Sequence, residues 1–223
     1  MTDKLKNVLD HGFVRLTDSM GSDLSVVRAA RVSYDADWRA GDDTGSDARL
    51  IRYLWRNAHT SPFESVTFTF EVKAPIFVFR QWHRHRTWSF NEVSARYAEL
   101  PSDFYTPAPE IVGRQSASNK QARVIEENYR GQAAYAASMA TAFEAYRTLL
   151  DDGWPRELAR AVLPVATYSR MFATIDLLNL LKFMTLRSHD HAQYEIRVYA
   201  DAMRELITPI VPIALEAWGE GRS

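Results

Sequence analysis

Residues 80–97 read RQWHRHRTWSFNEVSARY, and they set Arg80, Arg84, Arg86 and Arg96 with His83 and His85 against a single acid, Glu92. The whole chain is nearly balanced, with 27 Lys and Arg against 28 Asp and Glu and a formal net charge of −1. The stretch is therefore a local anion trap in a protein that lacks the global positive field of an indiscriminate nucleic-acid binder. Guanidinium forks match phosphate oxygens, and Ser89, Asn91 and Ser94 can read the polar edge of a bound ring, so a nucleotide fits better than a metal. Composition leaves a second reading open, a solvated charged turn with Trp82, Trp88 and Phe90 tucked into the core.

Working upstream, Ile76 to Trp82 is apolar except for Arg80 and Gln81, and Pro75 suits the first position of a helix. From Val66 to Lys73 the apolar Val66, Phe68, Phe70 and Val72 alternate with Thr67, Thr69, Glu71 and Lys73, the period of a half-buried strand. A helix from about Asp47 to Asn57 carries Leu50, Ile51, Leu54 and Trp55. An earlier one, capped by Ser22 or Asp23, carries Val26, Val27, Ala29 and Ala30. Asp35 to Asp47 reads as a polar loop with nothing to bury. Downstream, a loop with Pro101, Pro107 and Pro109 leads to a long helix predicted over about Ser118 to Leu150, striped by Met139, Phe143, Tyr146 and Leu150. Gly153 ends it and Pro155 starts another. A Leu-rich helix near Ile175 to Leu186 and a last one with Ile196, Tyr199, Met203 and Leu206 complete a helix-dominated α+β chain without repeats.

With 223 residues, 46% of them hydrophobic, the chain suits one domain spanning 1–223. The polar start, Met1 to Val8, and the lack of an apolar run of roughly 18–20 residues predict neither signal peptide nor membrane anchor, hence a cytoplasmic protein. Zero cysteines exclude disulfides, thiolate metal sites, iron–sulfur clusters and a cysteine nucleophile. His83 with His85 and His189 with His191 would chelate only if each pair lay on a strand. Both sit beside helical segments and lack an acidic set, so no metal is expected. Ser94 lies among arginines, yet no His–Asp pair stands at a recognisable spacing, which makes it a binding residue rather than a nucleophile.

The order of residues goes further than the composition. Arg84-His85-Arg86, then Ser89, Asn91, Ser94 and Arg96, resembles the signature of the flavin-dependent thymidylate synthases. DLSVVRAARVSY (23–34), HTSPFE (59–64) and HAQYEIRVYA (191–200) are similar to other segments of that family. The resemblance implies a helix-rich α+β subunit with a small central antiparallel sheet, assembled as a homotetramer with active sites shared between subunits. It also implies FAD-dependent methylation of dUMP at C5, with methylenetetrahydrofolate as carbon donor and NADPH as reductant. No enzyme cysteine is needed, because the hard redox step belongs to the cofactor.

Position by position, the resemblance gives the nucleotide to Arg84, Ser94, Ala95, Arg96 and Arg160, assisted by Gln81 and Glu92. Arg187 would stand against the uracil edge as the catalytic residue, favouring the N3-deprotonated ring. The flavin set is Ser33, Ser61, Glu64, Arg84, His85, Arg86, Thr87, Asn91, Glu92, Asp176 and Lys182, with His59 and His191 close to its ring or to the folate. Ala166, Leu178, Lys182 and His189 depart from the family pattern, at positions expected near the flavin. Two alternatives accompany this reading. One is methylation of UMP, which turns on room for a 2′-hydroxyl. The other is a single-stranded nucleic-acid-binding module in which Trp82 and Trp88 stack on bases.

Overall fold

The alternation in the middle of the first half does form a strand, Thr67–Pro75, and the rest of the molecule is built around it. The computed structural model describes residues 4–41 and 45–220, so 1–3 of the polar start and Asp42, Asp43 and Thr44 of the expected polar loop lie outside the described residues. In chain order the elements are β1 (Leu5–Val8), β2 (Gly12–Met20), α1 (Asp23–Arg31), α2 (Ser46–Arg56), β3 (Thr67–Pro75), α3 (Ile76–Trp82), β4 (Ser89–Glu92), α4 (Pro109–Val112), β5 (Arg114–Gln115), β6 (Arg123–Val124), α5 (Gln132–Asp151), α6 (Arg156–Ala159), β7 (Tyr168–Asp176), α7 (Leu177–Arg187), α8 (Tyr194–Ile207) and α9 (Pro212–Glu220).

Five strands make one antiparallel sheet in the order β1-β2-β3-β7-β4. The two-residue period sorts its faces. Val14, Leu16, Phe68, Phe70, Val72, Met171, Ala173 and Ile175 are buried against the apolar sides of α1, α2, α7 and α8. The other face carries Arg15, Thr17, Thr69, Arg170, Phe172 and Thr174, and Phe172 is 44% exposed there. Glu71 is buried on this second face, and Arg15 Nη1 (2.7 Å) and Arg170 Nη1 (3.1 Å) donate to its two carboxylate oxygens. A buried carboxylate requires such partners.

The structure moves two predicted helix starts. The long helix begins at Gln132 rather than Ser118, because Gly131 sits at its N-cap with φ 78° and the segment before it folds into the β5–β6 hairpin. The apolar stripe that justified the longer helix begins only beyond residue 131. The Leu-rich helix begins at Leu177 rather than Ile175. Tyr168–Asp176 alternates buried and exposed residues and is strand β7, and the Asp176 side chain accepts from Asn179 N (2.9 Å) to cap α7. Pro75 ends β3 and stands just outside α3 instead of opening it. The β1–β2 hairpin, β4, β7 and α9 have no counterpart in the sequence reading.

Trp82 and Trp88 join the core through rings. Trp82 is 0% exposed, stacks on Phe183 at 5.0 Å and meets Trp88 edge-on at 5.5 Å. In the same core Tyr199, whose ring meets Trp82 edge-on at 6.2 Å, donates from Oη to Lys73 O (2.8 Å) over Gly12. A Cβ at Gly12 would lie 2.1 Å from Tyr199 Oη and 2.6 Å from Val8 O, so only hydrogen fits there. We predict that Gly12→Ala lowers unfolding free energy by about 2–3 kcal/mol in urea titration, whereas a change under about 0.5 kcal/mol would mean the hairpin yields without cost.

Candidate active site

Helix α3 distributes the chemistry of its short sequence over three sides. Trp82 enters the core, Arg80 and His83 share the side of Ile76 and Phe79 at three- and four-residue spacings, and Gln81 lies apart from both. After the turn at 83–88, β4 returns along β7, with Asn91 opposite Phe172 and Glu92 opposite Met171. Val93 N donates to Arg170 O (2.9 Å), and the chain then turns where Arg96 N donates to Ser94 Oγ (3.3 Å) and Tyr97 N to Ser94 O (3.0 Å).

Between α3, this turn and the segment after α6 lies a cavity of about 390 Å³, the scale of a small-ligand site. Arg80, His83, Glu92, Ser94, Ala95 and Arg160 line it. Four of these, Glu92, Ser94, Ala95 and Arg160, belong to the predicted nucleotide set. Arg160 is anchored by its Nε donating to Glu157 O (3.4 Å), and Glu157 also pairs with Arg96 Nε (3.4 Å). Arg80 and His83 were not singled out by the resemblance; their spacing with Ile76 and Phe79 was the available signal. The His83 ring is held by stacking on Phe79 at 6.2 Å and edge-on to Phe90 at 4.8 Å.

A second group joins three more predicted residues by hydrogen bonds. At the last residue of α7, Arg187 Nε donates to His85 Nε2 (2.9 Å) and Nη2 donates to Gln81 O (3.1 Å). Burial first, and then the Arg187 charge, pull the His85 pKa from 6.5 to about 4, so the ring is neutral and offers Nε2 as an acceptor. Burial also lowers the pKa of Arg187, which remains a cation. Among the described residues Arg187 has no carboxylate partner. A half-buried guanidinium fixed by two neutral acceptors keeps its positive charge available to a ligand.

The predicted flavin residues are more dispersed. Ser61 and Glu64 are exposed on the 3₁₀ turn Ser61–Ser65, His59 is exposed with its ring edge-on to Tyr53 at 6.1 Å, and Ser33 is exposed on the turn Val32–Tyr34. The pairing of Thr67 with Asp176, and Leu177 N donating to Val66 O (2.8 Å), bring Ser61, Glu64 and Asp176 to one end of the sheet. Ser89 pairs with Thr174, which brings the start of β4, just after Thr87, toward the same end. The cavity touches Ser169, near the other end of β7. Seven steps along the strand lead from Ser169 to Asp176, roughly 23 Å. Arg84 and Arg86 are exposed on the turn between, without an ion pair among the described residues. His191 stacks on His189 at 4.9 Å and lines a smaller cavity of about 200 Å³ with Arg123, Asp190 and Arg197.

One alternative needs correction, and the four departures lie apart from one another within the chain. Leu178 is buried in the core because the α7 leucines pack under the sheet, Ala166 lines a separate apolar cavity with Phe77 and Tyr105, and Lys182 is exposed on α7. The base-stacking module fails on geometry, since Trp82 and Trp88 are 0% and 6% exposed and present no face to a nucleic acid.

Residues 15–213 match the family described as Thymidylate synthase complementing protein. Flavin-dependent thymidylate synthases of Treponema denticola and Thermus thermophilus are 46% and 48% identical over 95% and 96% of this chain, covering 80% and 77% of theirs. The chain belongs to the flavin-dependent thymidylate synthase family. Among solved structures of related proteins, the UMP/dUMP methylase PolB from Streptomyces cacaoi, bound with 5-Br UMP, superposes with TM-score 0.86 at 40% identity, covering 96% of each chain. The same methylase bound with 5-Br dUMP gives TM-score 0.86 at 41% identity, with 96% of this chain and 97% of that one covered. In this flavin-dependent thymidylate synthase fold, the helix-rich subunit with its small antiparallel sheet is the architecture the sequence resemblance implied.

The His85 geometry gives a pH prediction. Its folded pKa of about 4 lies below the ordinary 6.5, so the unfolded chain binds this proton more readily; the contribution to stability is complete above 6.5 and is lost as pH falls toward 4. In histidine ring NMR the His85 signal should stay neutral at about pH 5. Arg187→Gln should move its titration upward but short of 6.5, because burial is the larger cause. A wild-type midpoint near 6.5 would contradict the buried neutral ring.

Proposed function

We propose that this chain carries out the FAD-dependent reductive methylation of dUMP at C5, giving dTMP, with methylenetetrahydrofolate as carbon donor and NADPH as reductant. Membership of the family supports the reaction class, and the uncompensated Arg187 charge is the observation that carries the site. A guanidinium held at the uracil edge stabilises negative charge as N3–H is lost, which raises electron density at C5 without covalent attack on C6. A chain with zero cysteines suits a route that needs no thiolate. His85, neutral and accepting, keeps Arg187 oriented without cancelling its charge. Arg160 and Ser94 in the larger cavity, with Arg84 and Arg96 beside it, are our candidates for the nucleotide phosphate, and Ala95, Glu92 and Gln81 for its sugar and ring.

The donor set suits a flavin. Arg84 and Arg86 are cations without ion pairs among the described residues, as a pyrophosphate requires, and Asn91, Thr87, Ser33, Ser61, Glu64 and Asp176 supply neutral and acidic partners for ring and ribose. Bound there, the flavin would supply hydride to the one-carbon unit after its transfer to the pyrimidine. His59 and His191 are the proposed neighbours of its ring or of the folate, and Lys182 of its charged tail. The roughly 23 Å of strand between Ser169 and Asp176 supports a site completed across subunits of a homotetramer. Exposed Tyr34 (87%) and Trp38 (78%), beside Ser33, are apolar surface suited to such an interface. The folate and NADPH requirement fits a cytoplasmic enzyme, and no described helix is long and apolar enough to cross a membrane.

A second substrate, UMP, is favoured by the similarity to a UMP/dUMP methylase. The deciding experiment supplies purified protein with equal dUMP and UMP plus FAD, NADPH and methylenetetrahydrofolate and reads the nucleotides by mass. Methylated dUMP is the expected product, methylated UMP beside it would establish the broader substrate, and no methylated nucleotide would overturn the proposal. Arg187→Ala should cut kcat by on the order of 100-fold, and Arg160→Ala should instead raise the nucleotide KM by roughly 10- to 100-fold.

A further inference from the structure

One buried acid is left unexplained by the site residues above. Glu195, in the first turn of α8, is 1% exposed and lies at the wall of the apolar cavity that Ala166, Phe77 and Tyr105 line. Three groups donate to it: Arg123 Nη2 to Oε1 (2.8 Å), Tyr105 Oη to Oε1 (3.1 Å) and Gln193 Nε2 to Oε2 (2.8 Å). Burial and then the Glu195 charge push the Tyr105 pKa upward, so its hydroxyl remains a donor. The bonds continue outward. Gln193 Oε1 accepts from Gln81 Nε2 (2.5 Å), and the Gln81 carbonyl accepts from Arg187 Nη2 (3.1 Å).

The order of donors and acceptors along this chain is forced. An ionised carboxylate only accepts, so the Gln193 amide must turn its NH₂ group toward Glu195 and its oxygen toward Gln81. Gln81 must then spend its NH₂ group on Gln193, which leaves its own side-chain oxygen facing away with no protein donor among the described residues. The geometry points to Glu195 and Gln193 as positioning residues that fix Gln81 as a hydrogen-bond acceptor for a hydroxyl or ring N–H of the nucleotide. This rests on the nucleotide reading of Gln81 given above. Arg123 comes from β6, so the same carboxylate ties the β5–β6 hairpin to the nucleotide site.

Two variants separate positioning from simple support of the fold. Gln193→Met keeps the Glu195–Arg123–Tyr105 contacts and changes an exposed side chain, so its Tm should stay within about 2 °C of wild type. Without the amide the Gln81 carboxamide is free to flip. Calorimetric titration should then show dUMP and UMP binding weakened about five- to tenfold, with KM rising in parallel and kcat at saturating nucleotide within about twofold. Glu195→Gln, which can donate as well as accept, should weaken binding similarly and also lower Tm. Wild-type affinity in Gln193→Met would overturn the proposal, as would a loss of stability in Glu195→Gln with unchanged nucleotide affinity. The direct titration keeps this apart from the reaction. Wild type that binds nucleotide but methylates none would refute the activity while leaving the relay standing or falling by the variants, and wild type that binds neither nucleotide would overturn both.

Discussion

The nine-residue antiparallel pairing of β3 with β7 organises everything else. It buries Phe68, Phe70 and Val72 beside Met171, Ala173 and Ile175, giving the helices one apolar face to cover. Its ends also decide where the polar chemistry goes. At one end the strands meet the Ser61–Ser65 turn and the Asp176 cap of α7; at the other they lead into α3 and the cavity lined by Ser169. Slipping the register by one residue would turn the buried side chains to the open face and detach both ends from their partners.

From that frame the site reads as a contrast between two kinds of arginine. Arg15 and Arg170 share the buried Glu71, and Arg123 holds Glu195, so these charges support the fold. Arg187 is treated differently. Its neighbours, a neutral imidazole and a peptide carbonyl, hold its direction without supplying negative charge. In a half-buried setting that difference governs the response to an anionic ring, because a guanidinium already paired with a carboxylate would have less to gain from it.

The signature around Arg84 to Arg96 made the family legible, and the alternation from Val66 to Lys73 made the central strand legible. Strand β7 was harder, because its apolar side chains run directly into the leucines of α7 and the change of period falls at Asp176. The helix start at residue 132 was hidden because a polar segment can be a hairpin or a helix, and the φ of Gly131 is not written in its neighbours. In the site, Ser94 of the motif and Arg160 of the segment after α6 line one cavity. The part played by Glu195 was invisible, since two of its three partners, Tyr105 and Arg123, are distant in sequence, the third, Gln193, links it to the equally distant Gln81, and only the fold brings them together.

One such long-range contact bears on how the chain folds during synthesis. The buried Asp23 carboxylate, at the start of α1, accepts from Ile213 N (2.8 Å) and Ala214 N (3.0 Å) of α9, and burial raises its pKa despite those two bonds. Until residue 214 has left the ribosome, this acid has no backbone donors from α9 and must stay hydrated or take up a proton. The hydrogen bonding of the first helix is therefore completed late, once α9 arrives to cap a residue made nearly two hundred positions earlier.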